Sequence, residues 1–223
     1  MKNIDTILDE FLEAQKNRLK ERTFRNYEDI IFLFKTYLNG YGYMYLDEDK
    51  EKKWKAAYEK DEEAFTKLFG QEELGEDQMS EFLDYFMIRK VVASESHMKN
   101  AVRVMKKFSK WLTEQYDSDV GVDLFEEAED LPKMQKLAEL IFDHAQRSPE
   151  VEYELMTDSS FIVDKIEKGK LWVEDDLNGG IAGPVLVTKE ISALCKEGWR
   201  MNMVIGKTTA GWHILESGNV YPY

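Results

Sequence analysis

A chain of 223 residues with 30 Lys and Arg against 44 Asp and Glu carries a formal charge of −14. That length supports one large domain or two small ones, each with its own core, and hydrophobic residues at 43% with aromatics at 13% exclude a disordered chain. Nowhere does an apolar run approach the ~18 residues of a membrane span; the single cysteine, Cys195, forms no internal disulfide and fits a reducing, cytoplasmic setting.

The amphipathic start, MKNIDTILDEFLEAQ, has neither the cationic opening nor the apolar block of a secretory leader. Three- and four-residue steps predict a first helix over 5–20, with Ile7, Leu8, Phe11, Leu12 and Leu19 on one stripe. Thr23 is suited to cap a second helix that runs to about Leu38, and Gly40 and Gly42 are its stop signals. Residues 45–76 are charge-dense, with two short helical patterns anchored by Trp54, Tyr58, Phe65 and Phe69. They read either as a solvated helical insertion or as a recognition surface. A third core helix follows from Gln78 or Met79 to Val91 along Phe82, Leu83, Phe86 and Met87.

The next helix is the local exception to the charge of the chain. Over 94–115, Ala101, Val104, Met105, Phe108, Trp111 and Leu112 recur on one face, and Lys99, Arg103, Lys106, Lys107 and Lys110 fall on the other. Such a face is either solvated and paired with nearby acids or a contact for phosphates. Residues 1–116 are nearly balanced, with 20 basic against 23 acidic side chains, whereas 117–150 hold 3 against 10. The cationic face is therefore not submerged in a uniformly negative field. Lys exceeds Arg about three to one, which favours backbone contact over bidentate reading of base edges.

A helical pair at 123–130 and 132–147, with Pro132 acceptable in a first turn, completes the helical part. Past Ser148-Pro149, alternation replaces the helical rhythm, and eight of the thirteen glycines lie beyond residue 165. Strands are expected at 161–166 and 170–174 around the turn Glu167-Lys168-Gly169, at 181–187, at 200–205 and at 211–215, with a last short strand from Val220. Thr188 caps a short helix that Gly198 ends, and Gly206 to Ala210 form a turn.

The run Glu21-Arg22-Thr23-Phe24-Arg25-Asn26-Tyr27 ahead of an apolar helix resembles the N-terminal core-binding, SAM-like domain of phage-integrase-type tyrosine recombinases. Val102-Arg103-Val104-Met105-Lys106-Lys107-Phe108-Ser109-Lys110-Trp111-Leu112 is similar to that domain's last helix, and residues 40–76 depart from the pattern as an insertion. The resemblance implies a clamp on duplex DNA, with Arg22 and Arg25 on one helix and Lys99, Arg103, Lys106, Lys107 and Lys110 on another. His144-Ala145-Gln146-Arg147 has the spacing of the family's H-x-x-R, yet no helical domain of catalytic size follows it. An active recombinase is excluded, and no enzyme activity is expected.

Other candidates are weaker. Trp172, Trp199 and Trp212, with Tyr221 and Tyr223, form either a stacking platform for a partner or the core of a small barrel. His97, His144 and His213 lie far apart and imply no metal site. Gly206-Lys207-Thr208 lacks the rest of a phosphate-loop pattern, and Ser159 and Ser160 have no triad partners at a recognisable spacing.

The sequence thus leads to an α+β chain of two domains. Residues 1–116 form a helical core-binding-like bundle with an insertion at 40–76, 117–149 an acidic helical connector packed on it, and 150–223 a small SH3-like β-barrel. The expected function is a non-catalytic, DNA-associated accessory role without cofactor, metal or membrane partner. The alternative is a protein-interaction adaptor that uses Trp172, Trp212 and Tyr221.

Overall fold

The computed structural model describes residues 2–91, 93–118 and 124–222. Contacts divide the chain into two units, Met1–Val91 with His97–Glu129, and Val92–Ser96 with Asp130–Tyr223.

The first unit is helical. α1 (Ile4–Lys16) is capped by Asn3, whose side-chain oxygen accepts the Thr6 N–H at 3.0 Å. α2 (Glu21–Tyr41) begins earlier than expected: the Lys20 carbonyl already accepts from the Thr23 and Phe24 N–H groups, so Thr23 lies inside the first turn and caps nothing. Gly40 lies within the helix, and the chain turns at a 3-10 segment, Gly42–Tyr45. A Cβ on Gly42 would sit 2.7 Å from Cζ of Phe65, so this glycine is required for a close approach.

α3 (Glu48–Tyr58) and α4 (Ala64–Leu68) expose their charges but bury Trp54, Phe65 and Phe69. Buried Asn39 of α2 bonds both ways with Thr66 of α4, each contact at 3.1 Å. The insertion is therefore tied into the core of this unit. α5 (Glu76–Glu81) runs through a π-helical turn, Phe82–Phe86, into α6 (Met87–Arg89). α7 (Glu95–Tyr116) and α8 (Leu124–Glu127) complete the unit. Its centre is aromatic: Phe108 meets Phe11 at 5.0 Å and Phe34 at 6.0 Å, and Phe34 meets Phe82 at 5.1 Å between ring centroids.

The second unit joins α9 (Leu131–Ala145) to five strands. These are β1 (Leu155–Glu167), β2 (Lys170–Asp175), β3 (Ile181–Leu186), β4 (Arg200–Thr208) and β5 (Gly211–Tyr221), with α10 (Lys189–Leu194) between β3 and β4. Pairing runs β1-β2-β3-β5-β4 and returns to β1. All pairs are antiparallel except β3 with β5, which meet in parallel at Val185 and Trp212. Alternate residues face the interior, among them Phe161, Val163, Leu171, Val173, Val185, Met203, Ile205 and Ile214. Thr188 caps α10 as expected, accepting from the Ile191 N–H at 3.1 Å.

Three further expectations need correction here. The strongest tertiary partner of α9 is β5, so the connector divides near Asp130 and its long helix belongs with the strands. Its apolar stripe announces burial without naming what covers it. Second, Gly206 lies inside β4 and Gly218 inside β5, and the turn shrinks to Thr209-Ala210. A side chain at 206 would collide with Tyr153 at 2.6 Å, so that glycine admits a ring against a strand. Third, α10 ends at Leu194; Gly198, with φ of +87°, serves the turn into β4 and donates its N–H to Val163.

Candidate nucleic-acid interface

α7 is amphipathic because its sequence separates two residue types by helical angle. Met98, Ala101, Val104, Met105, Phe108 and Leu112 are buried. At ~100° per residue, Lys99, Arg103, Lys106, Lys107 and Lys110 fall within an arc of about 100° on the opposite side, and they span about 16 Å of axis. Lys99, Arg103, Lys106 and Lys110 are exposed, and Lys107 is half-buried.

Lys106 and Lys110 are loosely paired. Lys106 stands 3.9 Å from Glu129, and Lys110 stands 3.9 Å from Glu114. Arg103 donates to the neutral Asn100 side chain at 2.8 Å. Elsewhere in this unit, Lys2, Lys50 and Lys67 hold carboxylates at 2.5 to 2.7 Å. Exposed pairs at 3.9 Å contribute little, so a phosphate can displace them.

Arg22 and Arg25 are exposed on the opening turns of α2. Arg25 holds Glu21 at 2.5 Å, which neutralises it locally. Nε2 of His97 on α7 lies 2.9 Å from Asp29 of α2, but no contact joins either arginine to the α7 stripe among the described residues.

Sequence reasoning missed a second cationic group. Arg89 lies 5.3 Å from the Tyr85 ring, and Lys90 lies 5.8 Å from Tyr85 and 5.9 Å from Tyr41. The signal was present as Tyr85 and Arg89 four residues apart at the end of an apolar helical pattern.

The second unit does not assemble the aromatic platform. Trp199 and Tyr221 are buried, at 4% and 8% exposure. Trp172 points away from its buried neighbours Leu171 and Val173, over Gly183, with the Lys165 ammonium 4.6 Å above its ring. Trp212 pairs with Val185 and Lys207 and shares the face of buried Ile214. Trp172 and Trp212 therefore occupy opposite faces. Tyr223 lies outside the described residues.

The remaining reactive groups have structural partners. Nε2 of His144 lies 2.9 Å from the Leu186 carbonyl oxygen, and Nε2 of His213 lies 3.2 Å from the Thr208 hydroxyl. Burial pushes the Cys195 thiol up to about 12, far from a reactive thiolate. Ser159 donates to Asp175 at 2.6 Å, an arrangement with no imidazole in it. Among the described residues no three metal-ligating side chains come together, and no helix is long and apolar enough to cross a membrane. No protein-family model, curated protein or solved structure matches the chain.

Proposed function

We propose that the helical unit is a non-catalytic nucleic-acid-binding module that holds duplex DNA by phosphate contacts along α7. The observation that carries this reading is the arc of Lys99, Arg103, Lys106, Lys107 and Lys110, in which Lys106 and Lys110 stand 3.9 Å from their carboxylates. Lysine dominates the arc, so contact is electrostatic and weakly sequence-specific. The resemblance to an integrase core-binding domain agrees with that role, and of the two arginines it points to on α2, Arg22 is the one without a carboxylate held against it among the described residues. On this reading the protein works in the cytoplasm without a cofactor.

Fluorescence anisotropy with a labelled random duplex tests it across a salt series. Engagement of all five cations gives a slope of log affinity against log salt of about −4.5. Replacing Lys106 and Lys107 together by Glu lowers affinity by more than tenfold and flattens that slope. Binding that ignores salt, or survives the double reversal, would sink the proposal.

A second reading, a protein-interaction adaptor, has one observation in its favour. Trp172 is half-exposed on the outer face of the strand ring, beneath a lysine. In that reading the ring is an SH3-like barrel and Trp172 alone of the three aromatics is the partner contact, since Tyr221 is buried and Trp212 is on the opposite face. Partner capture lost on Trp172→Ala and kept on the lysine reversal would select it.

A further inference from the structure

We infer that a cleft between α9 and the bulged end of β5 binds the guanidinium group of an arginine ligand. The cleft has a volume of about 420 Å³, and Gln135, Glu139, Phe142, Asp143, Ser217 and Asn219 are among its lining residues. All belong to the second unit, so the site is separate from the cations of α7.

Two observations point to a ligand independently. Gln135 is only 6% exposed, and its Nε2 has no hydrogen-bond partner; the buried Oγ of Ser217 has none either. Buried polar groups without partners cost free energy, and native chains retain few of them. Here two line one cleft: the Ser217 Oγ can accept from a guanidinium N–H, and the Gln135 Nε2 is a donor that a peptide carbonyl beside the arginine would satisfy. The second observation is charge. Glu139 and Asp143 stand four residues apart on α9, where like charges repel, and both are exposed. Neither takes part in an ion pair among the described residues, whereas Asp130 at the start of the same helix holds Lys133 at 2.7 Å.

The chemistry selects the cation. Phe142, 55% exposed, adds an aromatic face beside the two carboxylates. A planar guanidinium can lie on that ring while its forked N–H groups reach carboxylate and amide oxygens, a combination a compact ammonium matches poorly. Anions are opposed by the same carboxylates, and a metal ion finds no cluster of ligands. Beyond Trp212, β5 has a strand on one side only, so main-chain groups of Ser217 and Asn219 border the cleft. That edge favours an arginine carried on a peptide, through main-chain contacts the free amino acid makes less fully.

The test uses the full chain and three probes: Nα-acetyl-arginine methylamide, its lysine counterpart, and the pentapeptide acetyl-Gly-Gly-Arg-Gly-Gly-amide. Titrations followed by amide chemical shifts should show saturable binding of both arginine probes, centred on Ser217 and Asn219. Lysine should bind at least about tenfold more weakly, a difference of about 1.4 kcal/mol. Tighter binding of the pentapeptide assigns the site to a peptide-borne arginine, and equal binding assigns it to a free guanidinium compound. Glu139→Gln with Asp143→Asn, and separately Phe142→Ala, should each weaken binding about tenfold without moving the melting temperature, because all three side chains are exposed. Lack of saturable arginine binding, equal binding of lysine, or full binding by the double variant would overturn the assignment.

Discussion

Asp175 collects four hydrogen bonds on one carboxylate. Oδ1 accepts from the Ser159 hydroxyl at 2.6 Å and from the Leu177 and Asn178 N–H groups at 3.0 and 3.2 Å; Oδ2 accepts from the Asn178 side chain at 3.0 Å. These donors favour the anion, Ser159 most strongly, and hold the carboxyl at about 2 instead of 3.8. A depressed carboxyl contributes stability in full above its unfolded value, and the contribution is lost as pH falls through the folded one. The window therefore runs from about pH 4 down to about pH 2. Asp175→Asn is expected to lower the melting temperature at neutral pH and to flatten its fall across that window, read by circular dichroism. An equally steep acid fall in the variant would remove Asp175 from the explanation. Gly183 sets a steric test at the same scale. A Cβ there would lie 2.4 Å from Cδ1 of Trp172, so Gly183→Ala should cost about 1–3 kcal/mol as overpacking does. It should also move the Trp172 indole N–H resonance as the ring leaves Lys165.

At the scale of elements, the two faces of α7 make opposite predictions. Phe108 is fully buried among Phe11, Phe34 and Trp111, and Phe108→Ala should cost about 3–5 kcal/mol in urea denaturation. Lys106→Ala, on the exposed face, should stay within about 0.5 kcal/mol while weakening any phosphate contact. That contrast was legible in the sequence, since three-four periodicity reports on burial and charge in a single helix. The Thr188 cap and the turn at Gly169 were legible for the same reason: each is decided by neighbours within a few residues. What remained hidden depends on distant residues. Gly206 looks like a turn signal, yet it makes room for Tyr153, which lies 53 positions earlier. Thr23 has a good capping side chain, but Lys20 had already opened the helix. Of the candidate site, the lysine arc was readable from spacing alone. The cleft on α9 was not, because its lining comes from three distant segments, residues 93–94, 135–143 and 217–219.

For the whole molecule, the position of α9 decides where the C-terminal unit begins. α9 buries Leu131, Met134, Leu137 and Ile141 and contacts β5 and α10. Fully burying side chains of this size contributes about 1.5–3 kcal/mol each. Together they approach the entire net stability of a typical domain, about 5–15 kcal/mol. Polar ties add position: His144 reaches the Leu186 carbonyl, Ser148 donates to the Ile214 carbonyl at 2.5 Å, and Lys196 pairs with Asp130. A fragment of residues 130–223 is therefore expected to unfold cooperatively and to give a dispersed amide spectrum. A fragment of residues 150–223 loses the helix that lies on β5, leaves that strand's apolar surface open, and should be soluble only as a loose or aggregating species. If the shorter fragment melts cooperatively at the same temperature as the longer one, α9 is an appendage of the ring. If only the longer one folds, the ring and α9 are one folding unit, and the cleft they share exists only when both are present.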